Sequence, residues 1–463
     1  MRANKISAVL LAAGKGVRFK SDLPKVMHKL IDKPMIYYPL RALLRAGIED
    51  IVVVLGFGAE KVKEYLISEF GEKIFSFVIQ KDQKGTGDAV RVALPKVGSE
   101  KFIIVYGDMP LIDETIILEL MHSFGEEKFV VTSFLTEDPY GYGRIVRDRK
   151  DNLLKIVEER DATDLEKNIK EVNAGLYLCS TRLVRKYIGK IKNKNSQREY
   201  YFPDIFQYAI SDHIDVKILE SKREFLLGAN NRVELSEILR ILQKRINTAH
   251  MVNGVTIISP DTVYIGRDVE IGRDTVIYPN VFILGKSEIG SNVVIENGTI
   301  IADSKLSDSV TVKAYCYIDK AIVLKNSIIG PFARLRPDTI VEEEVHIGNF
   351  VELKKTHIGK GSKANHLAYL GDAEIGDGVN VGAGTITCNY DGERKYKTVL
   401  EDGVFVGSDT QLVAPVRIGR NAYIGAGSTI TEDVPANSLA LSRVVQKNIE
   451  GWVLKRKKKK IGR

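Results

Sequence analysis

Tyr264-Ile265-Gly266-Arg267-Asp268-Val269-Glu270-Ile271-Gly272-Arg273-Asp274-Thr275-Val276-Ile277 decides the fold of the C-terminal half of the chain. An isoleucine returns at every sixth residue, and the beat continues through Ile283, Ile289, Ile295 and Ile301. A helix would repeat every ~3.6 residues and a half-buried strand every ~2. Two further runs keep the same beat: Leu335, Val341, Ile347 and Leu353, then Val406, Leu412, Ile418, Ile424 and Ile430. A hexad of this kind signals a parallel β-helix. Each face of a triangular coil takes one hexad, the aliphatic side chain points to the axis, and stacked coils bury a continuous apolar column. Glycine follows the aliphatic residue in Ile265-Gly266, Ile271-Gly272, Ile418-Gly419 and Ile424-Gly425, where it is expected to serve the turned backbone of a corner. Residues 302–327 keep an irregular register. The polar run Asn389-Tyr390-Asp391-Gly392-Glu393-Arg394-Lys395-Tyr396-Lys397 interrupts the beat and reads as a projecting loop, a usual carrier of function.

Upstream of the hexads, residues 231–251 have a helical pattern, with Leu235, Ile238, Leu239, Leu242 and Ile246 on one face. Before that helix, strand-like and helix-like runs alternate. Residues 6–11, 51–55 and 102–106 read as strands, and 35–46 and 59–70 as helices. Alternation of this kind predicts a mostly parallel sheet covered by helices, with ligands beyond the carboxyl ends of the strands. The expected organisation is therefore an N-terminal domain over 1–230, a linker helix over 231–251, a β-helix over 252–446 and a basic tail over 447–463.

Composition narrows the classes. The chain has 463 residues, 44% hydrophobic and 28% charged, which is a globular balance for more than one domain. A net charge of +8 suits anionic small molecules. The basic residues form no aromatic-studded stripe, so nucleic acid is not an expected partner. Cys179, Cys316 and Cys388 are far apart and odd in number, which argues against disulfides and zinc and for a reducing cytoplasm. The apolar run near Met1 is short and meets Gly14-Lys15-Gly16 at once, so it reads as a first buried strand rather than a signal peptide. No apolar stretch approaches the ~20 residues that span a bilayer, so membrane insertion is not expected.

The N-terminal motifs suit phosphate chemistry. Leu11-Ala12-Ala13-Gly14-Lys15-Gly16-Val17-Arg18 follows the first strand, and Pro24-Lys25 comes next. Glycines let backbone N–H groups approach phosphate oxygens, and Arg18 and Lys25 add mobile positive charge. The pattern is neither a Walker A loop nor a dinucleotide loop. Read alone, it is equally a turn with solvated cations. Gln80 with Lys84-Gly85-Thr86-Gly87-Asp88, and Tyr106-Gly107-Asp108 at a strand's end, extend the set. A lone Asp at such an end can hold Mg²⁺. Gly141-Tyr142-Gly143-Arg144-Ile145, Val157-Glu158, Val172-Asn173-Ala174-Gly175 and Gly228-Ala229-Asn230-Asn231-Arg232 follow in order.

Together these motifs resemble the sugar-1-phosphate nucleotidyltransferases. With the hexads, the whole chain is similar to the family of bifunctional UDP-N-acetylglucosamine pyrophosphorylase / glucosamine-1-phosphate N-acetyltransferases. The resemblance implies an α/β nucleotidyltransferase domain with a Rossmann-like mixed sheet, followed by an all-β left-handed parallel β-helix. It further implies that Leu11, Ala12, Ala13, Gly14, Gln80, Gly85 and Thr86 hold the uracil nucleotide beside Tyr106 and Gly107. Lys25 and Arg18 would neutralise UTP phosphates, Asp108 and Asn230 would bind Mg²⁺, and Gly143, Glu158 and Asn173 would contact the sugar. UTP in preference to dTTP rests on the resemblance. Asp88 and Ala174 depart from the family's pattern, and Ala174 removes a hydroxyl expected near the sugar.

Acetyl transfer to a sugar amine needs a base, and imidazole is the side chain suited to that task near neutrality. The chain has seven histidines, most of which are expected to be structural. His366 differs because Lys363-Ala364-Asn365-His366 replaces a clean hexad near Arg334, Arg336, Lys354 and Lys355. The resemblance is close at Phe332-Ala333-Arg334-Leu335-Arg336-Pro337, Gly348-Asn349-Phe350-Val351-Glu352-Leu353-Lys354-Lys355, Gly382-Ala383-Gly384-Thr385 and Val406-Gly407-Ser408. It implies His366 as base, Arg336 and Lys354 on the phosphate of glucosamine 1-phosphate, Tyr369 and Asn380 on its sugar, and Ala383, Asn389, Tyr390, Ser408, Ala426 and Arg443 along acetyl-CoA. It also implies a homotrimer with acetyl sites between prisms. Cys388 invites an acyl-enzyme reading, which direct attack by the amine makes unnecessary. Around Trp452 the basic tail reads either as solvated chain or as a cover for a neighbour's acetyl-CoA. Two rivals stand beside this expectation: a single-activity nucleotidyltransferase with a structural or regulatory β-helix, and a non-enzymatic scaffold that senses nucleotide sugars.

Overall fold

A computed structural model describes residues 6–125 and 128–461, with side chains up to 456. Residues 1–5, where the apolar start begins, and the last residues of the basic tail, 462–463, lie outside the described residues. The chain divides into two compact units, Met1–Lys244 and Arg245–Arg463. The division falls inside one helix, Arg232–Val252, rather than at either of its ends.

In the N-terminal unit the apolar runs build a nine-stranded mixed sheet. Its centre is Ile6–Ala12, paired in parallel with Lys101–Tyr106 on one side and Ile51–Leu55 on the other. Ile51–Leu55 is buried at every position, as expected for a strand covered on both faces. Glu171–Ser180 runs antiparallel between Lys101–Tyr106 and Phe129–Leu135, which makes the sheet mixed. A hairpin of Arg144–Arg147 and Leu153–Val157 joins it through Val172 and Arg144. Two apolar clusters lie on the two faces, one around Leu10, Val53 and Val105, the other around Val9, Val54 and Ile104. Neighbouring residues of one strand thus feed opposite cores.

The long helix begins at Asn231, whose Oδ1 accepts from the backbone N–H of Val233 and Glu234, at 2.9 and 3.0 Å. Ile238, Leu242 and Ile246 of the expected stripe are buried, and Leu235 and Leu239 are half-buried. In the C-terminal unit the end of the helix seats on the first coil. Asn247 Nδ2 donates to the carbonyls of Pro260 and Val263, at 2.8 and 2.9 Å.

The hexads then build a left-handed β-helix whose three walls are parallel sheets of 11, 10 and 9 strands among the described residues. Ile265, Ile283 and Ile301 stack in register on one wall, and Ile277 and Ile295 on another. All five are fully buried. Two details differ from expectation. Residues 302–327 are regular: Ile289 pairs with Leu306 and Leu306 with Val323, so each coil there is simply one residue short of three hexads. The glycine after the aliphatic residue is not a left-handed corner. A Cβ on Gly290 would lie 2.6 Å from the backbone nitrogen of Asp308, so glycine is needed because the next coil packs onto it. The left-handed corners are carried instead by residues such as Asp274 (φ 62°), Asn280 (φ 60°) and Asn292 (φ 57°), types that tolerate this region.

The basic tail also differs from a solvated coil, since Trp452–Ile461 is helical. No helix of the described residues is long and apolar enough to cross a membrane.

Candidate functional site

In the N-terminal unit the carboxyl ends of three parallel strands open onto a cleft of about 260 Å³. Leu11, Ala12, Ala13, Gly14, Lys25, Gln80, Gly85, Thr86, Tyr106 and Asp108 line it, together with Gln83 and Glu199. Sequence reasoning missed Gln83, whose Nε2 donates to the Ala13 carbonyl at 2.8 Å, and Glu199. Glu199 arrives from more than a hundred residues downstream, and no spacing announces it. Gly85 has φ 101°, and a Cβ there would lie 2.6 Å from the Tyr200 carbonyl oxygen, so only glycine fits. Gly107 is buried at the strand's end, where its N–H donates to the Leu11 carbonyl at 2.9 Å.

Asp108, Asn230 and Lys25 meet, although Asn230 lies far along the chain. The Ala229 N–H donates to the Asp108 carbonyl at 3.1 Å, which brings the strand's end and the start of the long helix together. The Asn230 N–H is held by Glu234 Oε2 at 2.8 Å. Lys25 Nζ forms an ion pair with Asp108 and donates to Asn230 Oδ1 at 3.0 Å. A cationic group therefore already rests on these two oxygens. A carboxylate and an amide oxygen are hard donors of the kind Mg²⁺ prefers, and Mg²⁺ fills its remaining positions with water and phosphate oxygens. The pair thus fits the ion. Arg18 is exposed on the turn Val17–Phe19 and does not line the cleft.

Gly143, Glu158 and Asn173 come together at the hairpin. The Asn173 N–H donates to the Gly143 carbonyl at 2.8 Å, and a Cβ on Gly143 would lie 3.3 Å from Glu158 Oε1. Asn173 Nδ2 also donates to the Tyr177 hydroxyl at 2.7 Å. Burial, then the charges of Asp204, Asp161 and Glu199, push the Glu158 carboxyl up to about 7 against the opposing pull of Arg144. Burial first, and then Glu158 and Asp108, raise the Tyr106 phenol well above its ordinary range. Tyr106 thus links the cleft to the hairpin, and Gly175 abuts its ring, where a Cβ would come within 2.6 Å. Ala174 is buried beside this group.

In the C-terminal unit His366 ends the strand Lys363–His366 and is exposed. Its Nδ1 lies 2.6 Å from Asn349 Oδ1, on the coil before it. An amide oxygen only accepts, so the ring proton sits on Nδ1 and the Nε2 lone pair is left free. Asn349 was not singled out from the sequence, but its separation from His366 is one coil, a signal that the register contains.

The register also aligns positions that look unrelated in the sequence. Ala364 pairs with Val381, Val381 with Val406 and Val406 with Ile424. Two residues on stand His366 at the end of its strand and Ala383, Ser408 and Ala426 in the turns beyond theirs, on successive coils tied by the Asp409 N–H to the Ala383 carbonyl at 2.7 Å and the Gly427 N–H to the Ser408 carbonyl at 2.8 Å. At ~4.8 Å per coil they form a column of small residues running away from the imidazole. Arg443 Nη1 donates to the Ala426 carbonyl at 2.8 Å at its far end.

Around the corner from His366 lies Tyr369. Arg336 pairs with Glu352 at 2.9 Å, and Lys354 approaches Asp372 at 3.8 Å. Asp372 also accepts from Asn389 Nδ2, which anchors the base of the loop. The loop leaves the wall between Ile386–Cys388 and Thr398–Leu400 and exposes Tyr390. Asn380 lies on the same wall as His366, in register with Lys363. Burial raises the Cys388 thiol, which keeps it protonated and a poor nucleophile.

Comparison with known proteins adds three findings. The family described as MobA-like NTP transferase domain matches residues 8–173, the GMPPB C-terminal domain matches 257–363, and the bacterial transferase hexapeptide (six repeats) matches 397–432. The "Bifunctional protein GlmU" of Geotalea uraniireducens is 47% identical over 98% of this chain and 100% of its own length. Those of Carboxydothermus hydrogenoformans and Thermoanaerobacter pseudethanolicus are 46% and 47% identical, over 97% of this chain in both cases and 100% and 98% of their own lengths.

Proposed function

We infer the residue roles from one premise: the chain belongs to the family of the bifunctional protein GlmU. It is a bifunctional enzyme of UDP-N-acetylglucosamine synthesis. The β-helix acetylates glucosamine 1-phosphate with acetyl-CoA. The N-terminal unit then transfers UMP from UTP to N-acetylglucosamine 1-phosphate and releases pyrophosphate.

For acetyl transfer, His366 Nε2 takes one N–H proton from the neutral sugar amine as that nitrogen attacks. The amine nitrogen bonds to the thioester carbonyl carbon, the carbon–sulfur bond breaks, and the departing thiolate takes the proton back from the imidazolium. Asn349 holds the ring in the tautomer this requires. Arg336 and Lys354 hold the phosphate, a fork and a point charge respectively. Tyr369 and Asn380 hold the sugar. Ala383, Ser408 and Ala426 leave a groove for the thin acyl-bearing arm, with Arg443, Asn389 and Tyr390 beside it. The observation that carries this reading is the column itself: a base and a run of small residues share one edge of the prism.

For uridylyl transfer, the attacking phosphate oxygen is already an anion and needs no strong base. Backbone groups from Leu11 to Gly14 and the Lys25 ammonium hold the triphosphate, and Arg18 meets its charge from the exposed turn. Gln80, Gly85 and Thr86 hold the base, and Gly143, Glu158 and Asn173 the sugar. Mg²⁺ on Asp108 and Asn230 would supply further neutralisation of phosphate charge.

Two assembly readings accompany these roles. The working parts are an N-terminal domain over 1–230, a linker helix, a β-helix to 446 and a tail. The prism works as a homotrimer in the cytoplasm. Support for assembly comes from the corner that carries His366: Tyr315, Phe332 and Phe350 stack there with ring centroids 5.3 Å apart, and all three are exposed.

Incubation with glucosamine 1-phosphate, acetyl-CoA, UTP and Mg²⁺ should yield free thiol, pyrophosphate and the mass of UDP-N-acetylglucosamine. Pyrophosphate release from supplied N-acetylglucosamine 1-phosphate, with no thiol release from glucosamine 1-phosphate, would favour a β-helix that only organises the enzyme.

A further inference from the structure

We infer that Asp88 fixes the orientation of the Gln80 amide and thereby selects a pyrimidine carrying an N3–H over cytosine. The inference rests on reading the N-terminal cleft as the uridylyl site and adds a specificity-determining residue to it.

Gln80 follows the strand Phe75–Ile79, and its backbone N–H donates to the Leu55 carbonyl at 2.8 Å. The residue is 4% exposed, yet it lines the cleft. Its amide nitrogen Nε2 donates twice, to the Gly85 carbonyl at 3.1 Å and to Asp88 Oδ2 at 3.0 Å. Both partners can only accept. A flipped amide would set its oxygen against two other oxygens, so the environment dictates the orientation. The atom left for a base to meet is Oε1, which accepts no hydrogen bond among the described residues. An acceptor at that place pairs with the N3–H of uracil or thymine. In cytosine N3 carries a lone pair instead, and two acceptors face each other, which a buried polar site rejects strongly.

Asp88 does not line the cleft, so it is a positioning residue. It stands in the first turn of the helix Thr86–Ala93, where negative charge is favoured, and Arg91 approaches it at 3.5 Å. That helix position alone gives a structural reason for an acid. The bond to Gln80 gives it a consequence for the base.

The test compares kcat/KM for UTP and CTP in the full-length chain with N-acetylglucosamine 1-phosphate and Mg²⁺. Binding of each nucleotide is followed in parallel by calorimetry. Asp88→Ala leaves one of the two fixing bonds. The UTP-to-CTP preference should fall roughly threefold to tenfold, about one hydrogen bond's worth, through KM rather than kcat. Asp88→Asn keeps an oxygen able to accept and should retain the preference. Asp88→Lys presents a donor, favours the flipped amide and should lower the preference below that of Asp88→Ala. The urea midpoint of the N-terminal transition reports that each variant is folded. Equal loss of UTP and CTP use in Asp88→Ala and Asp88→Lys, with an unchanged ratio, would mean that Asp88 only supports its helix and would overturn the inference. Gln80→Leu separates the two levels. If it keeps the full UTP preference, the base-pocket reading is wrong. If it erases the preference while the Asp88 variants leave it intact, only the role of Asp88 falls.

Discussion

The two units solve the problem of placing charge next to a substrate in opposite ways. The N-terminal sheet gathers its groups at the buried ends of strands, where Lys25 and Asp108 have side chains only 13% and 20% exposed. The prism puts its groups on the outside of a wall, where His366 is exposed and Arg336 keeps 37% of its side chain open. A sheet converges several strands on one point and can build a pocket from distant segments. A β-helix has a filled axis and only surface to offer, so its reactive groups are aligned along an edge instead. One unit brings enclosure with it, while the other needs another surface to supply it.

The largest expected effects test whether the two centres are independent. Asp108→Ala should lower uridylyl transfer by roughly 10²–10³-fold by removing charge stabilisation, and leave thiol release unchanged. His366→Ala should lower thiol release by roughly 10²–10⁴-fold, the usual contribution of a general base, and spare pyrophosphate release. Both activities falling together in either variant would contradict the division of labour.

A smaller effect separates the packing of the two units. Gly290→Ala forces a methyl group against the next coil and should destabilise the prism by about 1–3 kcal/mol. Gly378 has φ 64° and open space around its Cβ position. Gly378→Asn should be nearly neutral, since asparagine already occupies corners elsewhere on the prism. Thermal inactivation of acetyl transfer in the full chain reads both. Equal losses would mean that conformation, and not coil contact, governs the glycines.

The smallest effect concerns the enclosed unit alone. Glu158 titrates near 4.5 as an ordinary carboxyl and near 7 in the fold. Between those values the folded chain holds a proton that the unfolded chain has lost, so stability falls as pH rises through the window. Asp204, raised to about 6 chiefly by burial and then by Asp161, acts in the same direction. Glu158→Gln should remove the Glu158 part of this slope. The variant should gain on the parent by on the order of 1–2 kcal/mol between pH 5 and pH 8, as read from urea midpoints of the N-terminal transition. A constant difference across pH would show that the buried carboxyl does not carry the slope.

The sequence by itself determined the periodic features. Ile51–Leu55 and Ala59–Phe70 fall where composition and spacing place them, and the hexads specify stacked coils because a six-residue beat admits only one buried face per wall. Even so, the duty of the glycines is not legible in the beat. Their backbone is ordinary, and what excludes a side chain is a coil seventeen or eighteen residues away. Contacts of that kind belonged to the tertiary structure alone. Only the fold could bring Asn230 to Asp108, set Glu199 beside the cleft, tie Asp88 to Gln80 or stand Ala383, Ser408 and Ala426 over His366. Local pattern fixes which face of an element is buried, because burial follows the period of the backbone. Which distant side chains then meet depends on register and chain crossing, and a residue's neighbours in sequence carry little record of either.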